Sequence, residues 1–448
     1  MKQHETFVFD SYGFDPERLE ITLRYTLDDE VRFEEKIKLK KRGLAFEKTD
    51  PGLLDRALFA LHLAGGVSYY KTCCPKTIVV RSGGLTPTQA KFWNEFYESG
   101  LGEFFYRNSI DFRGLIAFPS GDAPQPTYVA HSFRKNAVLV PIGGGKDSVV
   151  TLELLKAAGL PITLFRMGSH PLIAETARVA DRPLLAVERT LDPQLLALNE
   201  QGAPNGHVPI TGYLMFLSVV IGLLYRHGAI AFSNERSANV GSTLYCGKDI
   251  NHQWSKSLAA EQLIQDYVRS WITPDIQLFS LLRPLSELAV TQQFCQYPDY
   301  RACATSCNRN WTIAARHRPG TSGPPWCRRC PKCAFVFTML AAFLPRADVL
   351  LTFGGDLFAD PHLSTMYREL LGLEGIKPFD CVGTPDETKA AFILAHRKGE
   401  FADAPLLQEF VRDVLPTIEN PDALITEALR PSHEHVIPPE FATVLPEA

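Results

Sequence analysis

The chain lacks the features that most often mark a nucleic-acid binder or an exported protein. Its 46 Lys and Arg residues are balanced by 50 Asp and Glu residues, and the net charge is −4, so no basic excess would attract a phosphate backbone. The N-terminal sequence MKQHETFVFD has no apolar core, so we expect no signal peptide and a cytoplasmic location. We therefore expect no nucleic-acid partner.

Long apolar runs are scarce. One segment, Val208 to Tyr225, approaches the roughly 20 residues that a membrane-spanning helix needs. Pro209, Thr211, Gly212 and Ser218 dilute it, and the flanking pattern is that of an α/β protein. We predict a helix buried within an α/β domain and no membrane insertion.

The two commonest nucleotide-binding motifs are absent from the glycine-rich stretch AVLVPIGGGKDSVVTLELLKAAG, which starts at Ala137. A Walker loop fails because Asp147 follows Lys146, and the G-x-G-x-x-G fingerprint fails because its sixth position is Ser148. The stretch does fit the S-G-G-x-D-S loop of ATP pyrophosphatases, with Gly143 in place of the first Ser. A tight glycine turn without a ligand is the alternative.

This loop suits ATP that is cleaved between its α and β phosphates. Gly143, Gly144 and Gly145 allow backbone N–H groups to approach phosphate oxygens, and a helix predicted from Ser148 to Ala158 offers its positive N-terminus. Lys146 can neutralise pyrophosphate, and Asp147 can help to hold Mg²⁺. The loop thus predicts ATP going to AMP and pyrophosphate, through an adenylate whose acceptor it does not name.

Around this loop, strands and helices alternate, which predicts a parallel sheet covered on both faces. We predict an α/β fold with three regions: an N-terminal α+β domain over residues 1–130, an ATP-pyrophosphatase core over 131–345, and a mainly helical region over 346–448. A hairpin is expected in LEITLRYTLDDEVRFEEKIKLK, a linker in GDAPQPTY, helices and Cys-rich loops after Leu258, and an extended tail after Glu434.

Five of the ten cysteines are clustered. Cys327, Cys330 and Cys333 lie in WCRRCPKC and have spacings suited to a structural zinc ion, with Cys307 as the natural fourth ligand and Cys303 as the alternative. A reduced, metal-free cluster is the competing interpretation.

Several dense polar strings together identify a family. GLGEFFYRN, GGGKDS, NGHVPIT, SNERSANVGS, NHQWSKS, FSLLRPLSEL, SCNRNW and KPFDCVGT resemble the ATP-dependent epimerases of peptidoglycan synthesis, the MurL type, from about Tyr25 to Thr384. The resemblance implies a substrate, UDP-N-acetylmuramoyl-L-alanyl-L-glutamate (UDP-MurNAc-L-Ala-L-Glu), whose terminal glutamate is inverted. Composition and spacing alone indicate only an ATP pyrophosphatase.

The implied chemistry is coherent. A free carboxylate makes the neighbouring C–H hard to ionise, and adenylation removes that charge and supplies a carbonyl that delocalises the carbanion. An activated N-acyl glutamate could also close to an oxazolone before it loses its α-proton. ATP and Mg²⁺ are expected, and pyridoxal phosphate is not required.

The polar strings supply the candidate residues. Asn234 and Glu235 follow a predicted strand, and Glu235 could bind Mg²⁺, act as a base or cap a helix. His207 and His252 could move protons or serve only the structure. Other candidates are Lys256, Arg283, Asn205 and Arg309 for substrate binding, unless they pair with structural carboxylates, and Cys381 as a thiolate base.

Two other functions compete with the epimerase. One is an ATP pyrophosphatase that modifies tRNA or a deazaguanine precursor, since such enzymes share the loop and often carry clustered cysteines. The other is a nucleotide-binding regulator without enzymatic activity, which would not need a loop with both Lys146 and Asp147. The substrate that triggers AMP formation separates the three.

Overall fold

The computed structural model describes residues 4–123, 125–310 and 325–445. Eleven strands occur in this part of the chain: β1 (Thr6–Asp15), β2 (Glu20–Leu27), β3 (Val31–Lys38), β4 (Thr77–Val80), β5 (Arg134–Pro141), β6 (Ile162–Met167), β7 (Leu184–Thr190), β8 (His227–Phe232), β9 (Thr243–Tyr245), β10 (Lys248–Ile250) and β11 (Gln277–Ser280). Nine of them form one mixed sheet in the order β11-β8-β5-β6-β7-β3-β2-β1-β4, and β9 pairs with β10.

The half of the sheet from β11 to β7 is parallel, as the sequence predicts. The chain runs from β5 outward to β6 and β7, and then returns to place β8 and β11 on the other side of β5. This reversal opens a crevice between the loops that follow β5 and β8, which is where parallel sheets bind ligands. Strand β11 corrects the prediction of helices and loops alone after Leu258.

The N-terminal strands continue the same sheet. The predicted hairpin is confirmed as antiparallel β2 and β3, with Asp28 and Asp29 in the left-handed region at φ 51° and 59°. Strand β3 also pairs with β7, so that Ile37 lies opposite Arg189. Hydrogen bonds therefore connect the predicted N-terminal domain to the predicted core, and the boundary at residue 130 stays a prediction.

The helices cover both faces of the sheet. Alternate residues of β5 show this, because Val138 and Val140 pack into one apolar core and Leu139 into the other. The helices are α1 (Pro51–Gly65), α2 (Val67–Tyr70), α3 (Pro87–Gly100), α4 (Gly102–Arg107), α5 (Lys146–Ala157), α6 (Pro171–Ala180), α7 (Pro193–Glu200), α8 (Ile210–Tyr225), α9 (Leu258–Tyr267), α10 (Glu287–Phe294), α11 (Pro331–Phe343), α12 (Arg346–Phe353), α13 (Ser364–Leu370), α14 (Pro385–Lys398), α15 (Pro405–Glu409), α16 (Pro421–Leu429) and α17 (Pro439–Ala442).

Most of the apolar segment from Val208 to Tyr225 forms α8, which lies inside the protein as predicted. Nearly all of its side chains are buried, and a Cβ on Gly212 would lie 2.6 Å from the Phe96 ring of α3. Within the described part of the chain, no helix has both the length and the apolar character to cross a membrane.

Two smaller predictions concern the C-terminal tail and the linker. The tail beyond Glu434 is not wholly extended, because Pro439 starts the short helix α17 with the fixed φ that suits a first turn. The described residues of the predicted linker, 121–123 and 125–128, form neither helix nor strand.

A buried ion pair joins the N-terminal strands to β7. Glu35 is fully buried and accepts two hydrogen bonds from Arg189, both at 2.8 Å, and one from the Tyr213 hydroxyl, also at 2.8 Å. Because a buried charge without its partner is strongly unfavourable, this pair fixes how the two halves of the sheet meet.

We predict that Arg189→Met lowers the free energy of unfolding by about 3 to 5 kcal/mol, since it leaves the Glu35 carboxylate buried and unpaired. The double variant Glu35→Leu/Arg189→Met should recover much of the loss. The control is Arg24→Met, which removes an exposed ion pair with Glu34 and should cost at most about 1 kcal/mol. Urea denaturation measures all three, and equal losses for Arg189→Met and Arg24→Met would contradict the assignment.

Candidate active site

The glycine loop lies at the carboxyl end of β5, in the crevice of the parallel sheet. Gly144 has φ 85°, a conformation that favours glycine, and open space surrounds the position of a Cβ on Gly143. Helix α5 starts at Lys146 and not at Ser148, because Gly145 is the extended residue before the first turn. Ser148 Oγ donates to the Gly145 carbonyl oxygen at 2.9 Å. The loop and the uncapped start of α5 together suit an anion.

Lys146 and Asp147 lie in the first turn of α5. The Lys146 ammonium is 4% exposed and contacts Asp147 Oδ1 at 2.5 Å, and it also forms an ion pair with Glu287 at the start of α10. Burial opposes the charge on Lys146, but the two carboxylates raise its pKa above the usual value. Lys146 is therefore a permanent cation beside the glycine loop.

Glu287 and Lys332 are site residues that the sequence did not single out. Glu287 Oε1 accepts from Lys332 Nζ at 3.0 Å, while its other oxygen pairs with Lys146. Burial would raise the pKa of Glu287, but Lys146 and Lys332 lower it to about 2. The backbone N–H of Glu287 donates to Glu387 Oε1 at 2.7 Å, so α14 also helps to hold this turn.

The loop after β8 faces the same crevice. Asn234 Nδ2 donates to Ser280 Oγ at 2.9 Å, which ties this loop to β11. Glu235 is buried, and its Oε2 has no hydrogen-bond partner among the described residues. Burial, reinforced by the charges of Glu287 and Asp147, raises the pKa of Glu235 to about 7. An unpaired buried carboxylate oxygen near Asp147 fits a Mg²⁺ ligand.

Arg283 pairs with a buried structural carboxylate, the alternative to the predicted substrate contact, and that contact stays a prediction. Its side chain is fully buried and donates to the Glu235 carbonyl oxygen at 2.7 Å, to the Lys256 carbonyl oxygen at 2.5 Å and to Glu261 Oε2 at 2.6 Å. These hydrogen bonds let Arg283 hold the Glu235 and Lys256 loops side by side, while its Nε has no hydrogen-bond partner among the described residues.

Cys381 lies in a second charged cluster next to the first. Lys256 Nζ donates to Cys381 Sγ at 3.1 Å, and the His252 imidazole also hydrogen-bonds the thiol. Burial raises the pKa of Cys381, but Lys256, His252 and Lys332 outweigh it and lower the pKa to about 6. The structure thus favours a thiolate at neutral pH, the form that can accept a proton.

The two candidate histidines meet beside this thiol. Their ring centroids are 4.3 Å apart, and His252 Nδ1 lies 2.5 Å from Glu103 Oε2 of α4. Burial opposes the charge, but the hydrogen bonds to Cys381 and Glu103 raise the pKa of His252 to about 9. Burial and the neighbouring His252 lower the pKa of His207 to about 3.

The remaining substrate-binding candidates, Asn205 and Arg309, are both exposed. Asn205 is exposed, and its Oδ1 accepts from Lys71 Nζ at 2.6 Å. Arg309 is exposed on a short turn beside Asn308, whose amide donates to Asp380 next to Cys381. Trp311, the last residue of SCNRNW, lies outside the described residues.

The cysteine cluster has the composition expected for a zinc site. The sulfur atoms of Cys307, Cys327, Cys330 and Cys333 lie within 4.8 Å of one another. Cys327 Sγ and Cys330 Sγ are 3.7 and 3.5 Å from Cys333 Sγ, and four thiolates around zinc at about 2.3 Å stand roughly 3.8 Å apart. Cys303 instead accepts from Thr176 Oγ1 at 3.6 Å. The geometry therefore favours Cys307 over Cys303.

Lys332 connects the cysteine cluster to the glycine loop. It lies between Cys330 and Cys333, at the start of α11, and is buried against Glu287. The string WCRRCPKC contains Lys332, but the sequence analysis interpreted only the cysteines of this string. Glu103 and Glu287 were likewise contained in GLGEFFYRN and FSLLRPLSEL, and their partners lie too far along the chain for spacing to reveal them.

Comparisons with known proteins show which family the chain resembles over its length. A family model described as the MurL N-terminal domain matches residues 1–281, and one described as the MurL C-terminal domain matches residues 303–424. A protein from Xanthomonas oryzae pv. oryzae is 37% identical over 440 residues, 98% of this chain and 96% of the relative. Proteins from a Micromonospora species and from Salinispora tropica are each 36% identical over 450 residues, 99% of this chain and 98% and 96% of the relatives. All three relatives are described as UDP-N-acetyl-alpha-D-muramoyl-L-alanyl-L-glutamate epimerase.

We predict that Cys327→Ser and Cys330→Ser proteins lose zinc and melt at least about 5 °C lower, because a closed thiolate site contributes its binding free energy to folding. Cys303→Ser is the matched control, since Cys303 lies outside the four-sulfur cluster. Elemental analysis and differential scanning calorimetry measure both effects. Wild-type protein purified without chelators that contains no zinc would contradict the assignment.

Proposed function

The chain belongs to the MurL family of epimerases, and we propose that it inverts the terminal L-glutamate of UDP-MurNAc-L-Ala-L-Glu in a reaction driven by ATP. The observation that carries the ATP dependence is the position of the glycine loop. It lies at the carboxyl end of β5, and its Lys146 shares Glu287 with Lys332, whose charge also helps to lower the pKa of the Cys381 thiol to about 6. A phosphate-binding loop and a proton acceptor are thus available to one substrate.

ATP is needed because the α-proton of a glutamate carboxylate is only weakly acidic. In the first step, an oxygen of the α-carboxylate attacks the α-phosphorus of ATP, and pyrophosphate leaves. The resulting acyl adenylate has lost the carboxylate charge, so a carbanion at the α-carbon can delocalise into its carbonyl. Water then attacks the acyl carbon and releases AMP and the D-glutamyl product.

The residues of the glycine loop have distinct roles in this step. The amides of Gly143 to Gly145 and the start of α5 face the phosphates, and Lys146 supplies positive charge where pyrophosphate departs. Lys332, held beside Lys146 by Glu287, adds a second cation. Asp147 and the unpaired oxygen of Glu235 fit Mg²⁺, which would neutralise phosphate charge when bound.

Proton transfer takes place in the second cluster. The Cys381 thiolate accepts the α-proton, which forms an S–H bond as the C–H bond breaks. Delivery of a proton to the opposite face of the carbanion completes the inversion. The thiol needs a reducing compartment, and the reaction needs a supply of ATP. We therefore place the reaction in the cytoplasm.

The competing functions lack such support. The three relatives share nearly the full length of this chain and are described as epimerases, not as tRNA- or deazaguanine-modifying enzymes. A regulator without enzymatic activity would have no use for an activated thiol beside the phosphate-binding loop.

We predict that Lys146→Ala and Asp147→Asn each reduce substrate-dependent AMP formation at least about 100-fold, because each removes a charge that contacts the transferring phosphate or its metal. Lys156→Ala is the matched control, since Lys156 lies on the same helix and pairs only with Glu153 on its surface. Chromatographic separation of AMP from ADP is the measurement. Full activity in either site variant, with ADP as the product, would rule out the proposed chemistry.

We further predict that the D-glutamyl product formed in deuterated water carries deuterium at its α-carbon, because the proton removed by a base exchanges with solvent before it is replaced. Mass spectrometry of the isolated product measures the incorporation. A substrate whose α-carboxylate is an amide should give no AMP. AMP formed from that amide would show that the activated group lies elsewhere.

A further inference from the structure

We propose that Glu103 is a positioning residue for the epimerisation: it holds His252 as an imidazolium, and His252 together with Lys256 holds Cys381 as the thiolate that removes the α-proton. The inference rests on the proposed function, and it assigns a role to a residue that sequence reasoning left out. It also explains why the two histidines differ.

Three distant segments form this arrangement. Glu103 lies on α4, His252 follows β10, and Cys381 precedes α14. His252 Nδ1 faces Glu103 Oε2 at 2.5 Å, so Nε2 is the ring nitrogen left to interact with Cys381, which raises the pKa of His252. Lys256, four residues after His252 in the same segment, donates from Nζ to the same sulfur at 3.1 Å. The thiol therefore has a cationic donor on each of two sides.

Glu103 is itself fixed in place. Its side chain is 6% exposed, and Oε1 accepts from Arg107 Nε at 2.5 Å, one helical turn away. Burial would raise the pKa of Glu103, but the hydrogen bond and charge of His252, with His207 and Arg107, lower it. The carboxylate thus keeps its charge in a buried position, which a positioning role requires.

His207 acts as an internal comparison for His252. The two rings are 4.3 Å apart and share the same buried surroundings, yet His207 Nδ1 lies 3.9 Å from Glu103 Oε2. The pKa of His207 falls to about 3 through burial and the charge of His252, whereas that of His252 rises to about 9 despite burial. Close contact with Glu103 and Cys381 therefore distinguishes the charged imidazole from the neutral one.

The wider surroundings of Cys381 favour the thiolate as well. Lys256, Lys332 and His252 carry charges that lower its pKa, burial raises it, and the Lys377 ammonium also interacts with the thiol. Asp380, the preceding residue, receives hydrogen bonds from the Cys381 backbone N–H at 2.8 Å and from Asn308, which keeps its carboxylate engaged. Glu103 lies behind His252 and acts on the sulfur through it.

A metal ion is the main alternative for these residues. Glu103, His207 and His252 each offer a ligand atom within 4.8 Å of the others. The direct contact between His252 and Glu103, and the second contact of His252 with Cys381, favour a proton on the imidazole. A metal-bound His252 nitrogen could not carry that proton, so the alternatives exclude one another at this residue.

The reaction step balances without another reactant. The Cys381 sulfur takes the α-proton, the electrons of the C–H bond pass to the acyl-adenylate carbonyl, and His252 retains its proton throughout. After the product leaves, the thiol returns its proton to solvent. Glu103 touches neither substrate nor sulfur, so its effect must appear as a change in the protonation of Cys381.

The test measures the pH dependence of Cys381 alkylation by iodoacetamide, without ATP or substrate, by peptide mass spectrometry. For wild-type protein we expect a midpoint near pH 6, the value set by the charges around the sulfur. Glu103→Gln lets His252 lose its proton, so the midpoint should move upward by about one pH unit or more. Glu103→Asp should restore part of the shift, and Glu98→Gln, which changes a carboxylate paired with Lys248, should leave the midpoint unchanged.

Four outcomes would overturn the inference. One is an unchanged midpoint in Glu103→Gln protein that melts like wild type. A second is a shift of equal size in Glu98→Gln. A third is a metal ion that is lost from Glu103→Gln protein while zinc at the four cysteines stays. The last is a Cys381→Ser protein that still exchanges the substrate α-proton with deuterium at the wild-type rate. None of the first three readouts uses ATP, so they separate this inference from a failure of the proposed function, which AMP formation tests.

Discussion

The buried carboxylate of Glu287 holds the functional part of the structure together. It pairs with Lys146 from the glycine loop and with Lys332 from the cysteine-rich turn, and all three side chains are at most 4% exposed. Both lysines use this carboxylate as a counter-charge, Lys146 together with Asp147, because a buried ammonium without a counter-charge is strongly unfavourable. One side chain thus sets the distance between the phosphate-binding loop and the cysteine cluster.

This constraint gives the cysteine cluster a role beyond stabilising the fold. Lys332 lies between two of the four cysteines, so a zinc ion bound there would fix the backbone that presents this cation to the phosphates. Lys332 also contributes to the low pKa of Cys381, because its charge stabilises the thiolate. The glycine loop and the proposed proton acceptor therefore share one electrostatic environment, and Arg283 keeps the loops of Glu235 and Lys256 side by side within it.

Local signals in the sequence predicted the elements that local physics determines. The hairpin around Asp28 and the strand–glycine–helix unit at Gly143 to Gly145 both depend on residues close together in the chain. Strand β11 was missed because four residues carry too little periodicity. Glu287 and Glu103 were missed because their partners Lys146 and His252 lie 141 and 149 residues away in the sequence. Only the tertiary fold brings these pairs into contact.

The most direct test of the central claim follows an oxygen atom. The substrate carries ¹⁸O at both oxygens of the α-carboxylate of its terminal glutamate, and the AMP released during epimerisation is analysed by mass spectrometry. If the carboxylate attacks the α-phosphorus and water then cleaves the acyl–oxygen bond, each AMP contains one ¹⁸O. Epimerisation that yields AMP without ¹⁸O, or ADP in its place, would contradict activation of that carboxylate as an adenylate.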